Sequence, residues 1–208
     1  MRLRNVPYAK DIINNNPNIS VLNPMDYKGK WVKSFGLNKL EIEVGCGKGK
    51  MLSLMAEDNK DNLYLGIEKF DSVICRAITR AIELDLSNLK FIRMDAEKLL
   101  DVFSDSEVDR VYLSFPDPWP KARHEKRRLT SPKFLELYKK ILKKDGIIRL
   151  KTDNYDLYQY SLETMIPLLN NPKYGEYPMM DNDYTTEFED KFRKLNQKIY
   201  YIEGKFNR

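Results

Sequence analysis

Leu40-Glu41-Ile42-Glu43-Val44-Gly45-Cys46-Gly47-Lys48-Gly49 is the stretch on which the reading of this chain turns. A short apolar run ending at Val44 predicts a strand over Leu40–Val44. Three glycines at alternate positions then let the backbone turn tightly and approach a ligand closely. Taken alone, the turn also suits a bare strand-to-helix connection that holds nothing.

Working outward, short apolar runs alternate with helical patterns. They predict further strands at Leu63–Glu68, Leu89–Met94, Val108–Phe115 and Ile147–Thr152. Between them, Ser72–Leu84 carries a helical stripe of Val73, Ile74, Ala77, Ile78, Ala81 and Ile82. Ser131–Lys143 reads as a helix capped by Ser131, with Pro132 in its first position and Gly146 just past its end. Its buried face is Phe134, Leu135, Tyr138, Ile141 and Leu142. Ile199–Phe206 reads as a last strand, paired antiparallel near Tyr174–Met179. The expected organisation is an irregular segment over 1–35, punctuated by Pro7, Pro17, Pro24 and Gly29, followed by one domain over 36–208. Strand–helix alternation implies a mostly parallel sheet with helices on both faces.

Ligands of such sheets bind beyond the carboxyl ends of the strands. Three acids close successive strands there: Glu43, Glu68 and Asp95. Glu68 lies 19 residues after Gly49 and suits the two hydroxyls of a ribose. Asp95 suits an adenine amino group. Such a crevice fits NAD or S-adenosylmethionine. The turn is Gly-x-Gly-x-Gly rather than Gly-x-Gly-x-x-Gly, and Glu43 beside it would repel a pyrophosphate. A cationic methionine moiety would be welcome, so charge favours the methyl donor.

The fourth strand runs into Ser114-Phe115-Pro116-Asp117-Pro118-Trp119-Pro120. Each proline restricts itself and the residue before it, so the loop is stiff and holds Asp117 in one place. Trp119 suits either stacking on a base or packing against its own loop. Five of the 36 basic residues follow within Lys121-Ala122-Arg123-His124-Glu125-Lys126-Arg127-Arg128. A charge run is often only a solvated face. Beside the proposed active loop it is expected to hold phosphates. His124, the one histidine, is expected to contact RNA rather than to act as a base.

Composition sets bounds. Hydrophobic residues form 42% of the 208, enough for a buried core. The net charge of +5 favours an anionic partner, though modestly. No apolar run approaches the ~20 residues of a membrane span, and no secretory leader is visible. Cys46 and Cys75 make neither a disulfide framework nor a zinc site. Cys46 reads as a small filler of the turn. The expectation is a cytoplasmic protein without membrane or metal, a monomer or a homodimer.

Together, Glu43-Val44-Gly45-Cys46-Gly47-Lys48-Gly49, Gly66-Ile67-Glu68, Asp95-Ala96, Phe115-Pro116-Asp117-Pro118-Trp119 and Arg123-His124-x-Lys126-Arg127-Arg128 resemble the bacterial tRNA (guanine-N(7)-)-methyltransferase family. So do Thr152-Asp153-Asn154, Thr186-Glu187-Phe188-Glu189 and the N-terminal Arg4-Asn5-Val6-Pro7. The Pro-Asp-Pro-Trp loop with its Arg-His segment is the most specific piece. The resemblance implies a class I S-adenosylmethionine-dependent methyltransferase fold: a Rossmann-like α/β sandwich, mostly parallel, with an antiparallel C-terminal strand. It implies methylation of nitrogen-7 of the guanine at position 46 in the tRNA variable loop, giving 7-methylguanosine.

By the same resemblance Glu43, Gly45, Gly47, Glu68, Asp95 and Asp117 would line the S-adenosylmethionine site, and Asp117 would be catalytic. Lys121, Asp153, Thr186, Glu187, Phe188 and Glu189 would meet the substrate. Arg123, His124, Lys126, Arg127 and Arg128 would contact RNA. Three rivals stay open on the residues alone: an exocyclic-amino methyltransferase, a non-catalytic RNA-binding subunit, and an NAD dehydrogenase.

Overall fold

The computed structural model describes residues 6–208. Arg4 and Asn5 of the family-like N-terminal segment lie outside the described residues. The strands are β1 (Lys39–Val44), β2 (Asn62–Glu68), β3 (Leu89–Arg93), β4 (Val108–Ser114), β5 (Leu142–Thr152), β6 (Leu169–Glu176) and β7 (Tyr200–Phe206). They form one sheet in the order β3-β2-β1-β4-β5-β7-β6. The first five strands run parallel, and β7 lies antiparallel between β5 and β6. The helices are α1 (Ala9–Asn15), α2 (Trp31–Phe35), α3 (Lys50–Asp58), α4 (Asp71–Glu83), α5 (Leu99–Val102), α6 (Pro132–Ile141), α7 (Tyr155–Met165) and α8 (Glu187–Lys194).

Helices cover both faces. Leu40, Ile42, Leu65 and Leu113 pack with α2, α5, α6 and α7, while Tyr64, Phe91 and Tyr112 pack with α1, α3 and α4. This double burial is why β2 reads as an apolar run over Leu63–Ile67, whereas β1 alternates apolar residues with Glu41 and Glu43. Strand order reverses between β1 and β4, so the ligand crevice opens there, above Glu43 and Ser114.

The structure alters several expected details. In α4, Ile82 is 43% exposed and Cys75 is buried in its stead. Ser131 flanks α6, but its hydroxyl accepts no helical N–H; its carbonyl takes those of Phe134 and Leu135, at 2.9 and 3.0 Å. Pro132 opens the helix as expected. Gly146 does not terminate α6, because the chain turns extended at Leu142 and β5 begins at once. Leu142 pairs with Val108, and the register then shifts before Ile147 meets Arg110. A Cβ on Gly146 would sit 2.8 Å from Leu142, so the irregularity needs a glycine. The partner of β7 starts earlier than expected, at Leu169, although Tyr174 does pair with Ile202.

Within 6–35, where irregular chain is expected, α1 and α2 form and a 3-10 turn spans Pro24–Tyr27. Trp31 is fully buried, its indole N–H donating to the Val102 carbonyl at 3.0 Å. Ser20 bridges to Phe91, so this segment covers the β3 edge of the sheet. Among the described residues, no helix is long and apolar enough to cross a membrane.

Candidate active site

The glycine turn follows β1. Gly45, Gly47 and Gly49 all have positive φ, at 77°, 58° and 72°, which a side chain would strain. The Gly45 and Cys46 N–H groups donate to the Ile67 carbonyl, pinning the turn to β2. Cys46 is buried, and burial pushes its thiol pKa well up, so it is an inert filler. Its Sγ would stand 2.8 Å from a Cβ on Gly66, which is why β2 carries a glycine there.

Glu43 is 1% exposed, and its Oε2 has no hydrogen-bond partner. Burial pushes its pKa up to about 8; Glu187 and Glu68 add to the rise, and Ser114 opposes it. A buried carboxylate with one oxygen unpartnered is costly to charge, and a cation would relieve it. Glu68 receives the N–H groups of Gly47, Lys69 and Phe70 at 3.3, 2.8 and 3.1 Å. Its pKa is raised, first by burial against those bonds and also by Asp117 nearby. Asp95 caps the 3-10 turn at Ala96–Lys98 and pairs with Lys69 at 2.6 Å. Burial would lift its pKa, but Lys69 and the Glu97 N–H outweigh it and hold it down. These acids and this turn fit the ribose, the adenine and the cationic methionine end of S-adenosylmethionine.

Asp117 is exposed on the loop that leaves β4. Phe115 and Trp119, on either side of it, hold φ of 51° and 43°, a left-handed conformation rare outside glycine. Such strain persists only where the surroundings enforce it. The Phe115 N–H donates to the Lys151 carbonyl at 2.8 Å. Arg128 donates to the Pro118 and Trp119 carbonyls at 3.1 and 3.2 Å, and its guanidinium lies over Tyr160. Arg127 lies over the Trp119 ring at 5.0 Å, and His124 meets that ring edge-on at 5.6 Å. Trp119 thus packs within its own loop. Of the basic run, His124 and Arg128 are half-buried on the loop, Arg127 lies over Trp119 yet stays exposed, and Lys121, Arg123 and Lys126 are exposed.

The remaining candidates arrive from two later segments. Asp153 follows β5, with Gln197 at 3.5 Å. Thr186 caps α8, accepting the Glu189 N–H at 3.0 Å. Glu187 pairs with Arg80 of α4 at 2.7 Å. Phe188 is 49% exposed and stacks on Phe192, which in turn meets Phe115. Glu189 points the other way. It is fully buried, and its carboxylate is taken by Lys151 at 3.1 Å and Arg193 at 2.7 Å. Asp190 pairs with Lys50 of α3, and Thr185 joins them. Lys50, Arg80 and Lys151, which fasten α8 to α3, α4 and β5, and Arg193, which ties α8 to Met180 and Asp183, carry no signal in the sequence that marks them out.

Residues 38–202 match the sequence profile of a family described as "Putative methyltransferase". The chain is 45% identical to the tRNA (guanine-N(7)-)-methyltransferase of Bacillus subtilis (strain 168), across 98% of this chain and 98% of that one. The chain belongs to the tRNA (guanine-N(7)-)-methyltransferase family. A family member from Listeria monocytogenes is 42% identical over the full length of both chains. Among solved structures, the 16S rRNA methyltransferase KamB superposes with a TM-score of 0.65 at 15% identity, covering 86% of this chain and 92% of that one. An antibiotic-related methyltransferase gives 0.63 at 16%, covering 85% and 92%. At such identities the likeness speaks for the fold, that of class I S-adenosylmethionine-dependent methyltransferases. Among the described residues, no group of three or more His, Cys, Asp or Glu is arranged to hold a metal ion.

Proposed function

We propose that this family member transfers a methyl group from S-adenosylmethionine to nitrogen-7 of guanine 46 in the tRNA variable loop, forming 7-methylguanosine in the cytoplasm. One observation carries the reading. Glu43, buried with its Oε2 unpartnered, stands at the end of β1 between Glu68 at the end of β2 and the exposed, rigidly held Asp117 on the loop that leaves β4.

Glu43, Glu68 and Asp95, with Gly45 and Gly47, hold the donor, which when bound supplies an electrophilic methyl group on a sulfonium. Guanine nitrogen-7 bears a lone pair and no proton, so no residue need act as a base to expose it. What the chain must supply is alignment, which can contribute about 7–11 kcal/mol in favourable cases. Asp117 and Asp153 accept hydrogen bonds from the N–H groups of the guanine edge. They orient the ring and oppose the positive charge that arrives on it. Lys121 and the Thr186–Phe188 stretch complete the base site, with Phe188 offering an exposed ring. Glu189, buried and paired, acts from behind this stretch. Arg123 and Lys126 face solvent and meet phosphates. Arg127, Arg128 and His124 shape the loop they lie on and reach RNA only at their outer edges.

Asp117→Asn tests this role. It should lower the single-turnover transfer rate by about a hundredfold, the scale of losing one charge-stabilising group, with donor affinity nearly unchanged. Full turnover at saturating donor, with weaker donor binding as the only defect, would falsify the assignment.

A further inference from the structure

Lys151 is a buried lysine with no part in the reading above. Its side chain is 3% exposed, and its Nζ donates to both oxygens of Glu189, at 3.1 and 3.3 Å. The same ammonium lies 3.6 Å from the centre of the Tyr177 ring. Arg193 completes the Glu189 carboxylate and reaches on to Asp183 and to the Met180 carbonyl. The Tyr177 hydroxyl donates to Asp183 at 2.9 Å. The inner side of the segment from Tyr177 to Arg193 is therefore held by two linked cations, Lys151 at Glu189 and Tyr177, and Arg193 at Glu189, Asp183 and Met180. Burial lowers the Lys151 pKa, and the Glu189 charge works against that fall.

The main chain of Lys151 faces the other way. Lys151 pairs with Ser114 across β4 and β5, and its carbonyl receives the Phe115 N–H at 2.8 Å. Phe115 is the strained residue that opens the Asp117 loop. Asp153 stands two residues further along the chain. The two segments also touch directly, Phe115 against Phe192 at 5.5 Å. Stability alone does not call for charges here, since apolar side chains of similar volume commonly replace a buried ion pair at no loss. What the ions add is direction: hydrogen bonds fix α8 in one rotation relative to the loop.

We propose that Lys151 is a positioning residue, which joins α8 by its side chain and the Asp117 loop by its main chain into one rigid guanine site. The inference rests on the base site described above and adds the part that aligns it. Lys151 and Glu189 then act on the rate of transfer rather than on donor binding or on the phosphate contacts that dominate tRNA affinity.

The test uses full-length Lys151→Met/Glu189→Leu, which swaps the ion pair for apolar side chains, together with Glu189→Gln. Melting temperature, donor affinity by calorimetry, tRNA affinity and single-turnover rate at saturating donor and tRNA are measured for both and for the unaltered enzyme. The double variant should keep its melting temperature and both affinities and lose about a hundredfold in rate, the scale of a misplacement near 1 Å. Glu189→Gln keeps the shape of the side chain and a hydrogen bond from Lys151. It should lose less than about tenfold, and it carries the test should the double variant not fold. A folded double variant that transfers at the unaltered rate overturns the proposal. So does Glu189→Gln losing about a hundredfold in rate, which would put Glu189 in contact with the base. If the unaltered enzyme forms no 7-methylguanosine, the functional reading fails instead.

Discussion

Glu43 stands at the end of β1 and Asp117 lies on the loop that leaves the neighbouring β4, in opposite surroundings. Asp117 is exposed, whereas burial, helped by Glu187 and Glu68, pushes the Glu43 pKa from 4.5 up to about 8. A carboxyl that binds its proton more tightly folded than unfolded contributes stability at low pH and loses it as pH rises. The window runs here from 4.5 to about 8. The donor-free protein should therefore melt at progressively lower temperature across that window. Glu43→Gln should flatten the decline, and parallel melting curves for the two proteins would contradict the assignment. A cation brought to Glu43 pulls its pKa down, so donor binding near neutral pH should release a proton. Calorimetry in buffers of different ionisation enthalpy reads that release directly. Position at a strand end and residue type mark Glu43 in the sequence. Its orphaned Oε2 does not show there, because that depends on what β4 and α8 leave around it.

Helix α8 shows what an isolated segment conceals. It is eight residues long, too short to persist alone, and depends on its cap and on pairs made to α3, α4 and β5. Thr186→Ala removes the cap and should cost about 1 kcal/mol. Hydrogen exchange should then quicken in α8 while β1 and β4 stay protected; uniform quickening would mean that α8 is not a separate unit. Arg80→Ala breaks a half-exposed pair and should cost less, about 0.2–1 kcal/mol. From sequence alone the acids of α8 look equivalent. Only the fold separates Glu187, at the crevice, from Glu189, turned into the protein. The same limit explains Gly146, read as a helix stop because helix C-termini favour glycine, yet serving an irregular strand. It explains β6 too. Asn170, Asn171, Pro172 and Lys173 hide an edge strand that only its pairing with β7 reveals.

At the scale of the whole molecule, the five parallel strands follow from strand–helix alternation that the sequence makes plain, whereas their order is seen only in the fold. The acids at the strand ends follow from the crevice rule. The basic run is legible as a run, but not in how it divides. Arg123 and Lys126 face solvent, while Arg128 is spent on the Pro118 and Trp119 carbonyls. tRNA affinity should fall steeply with salt, and Arg123→Ala and Lys126→Ala should each shrink the log–log slope by about one. Arg128→Ala should leave that slope nearly intact and lower the transfer rate by loosening the loop. An equal loss of slope in all three variants would mean that Arg128 meets phosphate instead.

The most direct measurement is methyl transfer from labelled S-adenosylmethionine to unmodified tRNA, followed by mass spectrometry of the nucleosides and mapping of the site. The product should be 7-methylguanosine in the variable loop. Methylation of an exocyclic amino group, or donor binding with no transfer to tRNA at all, would contradict it.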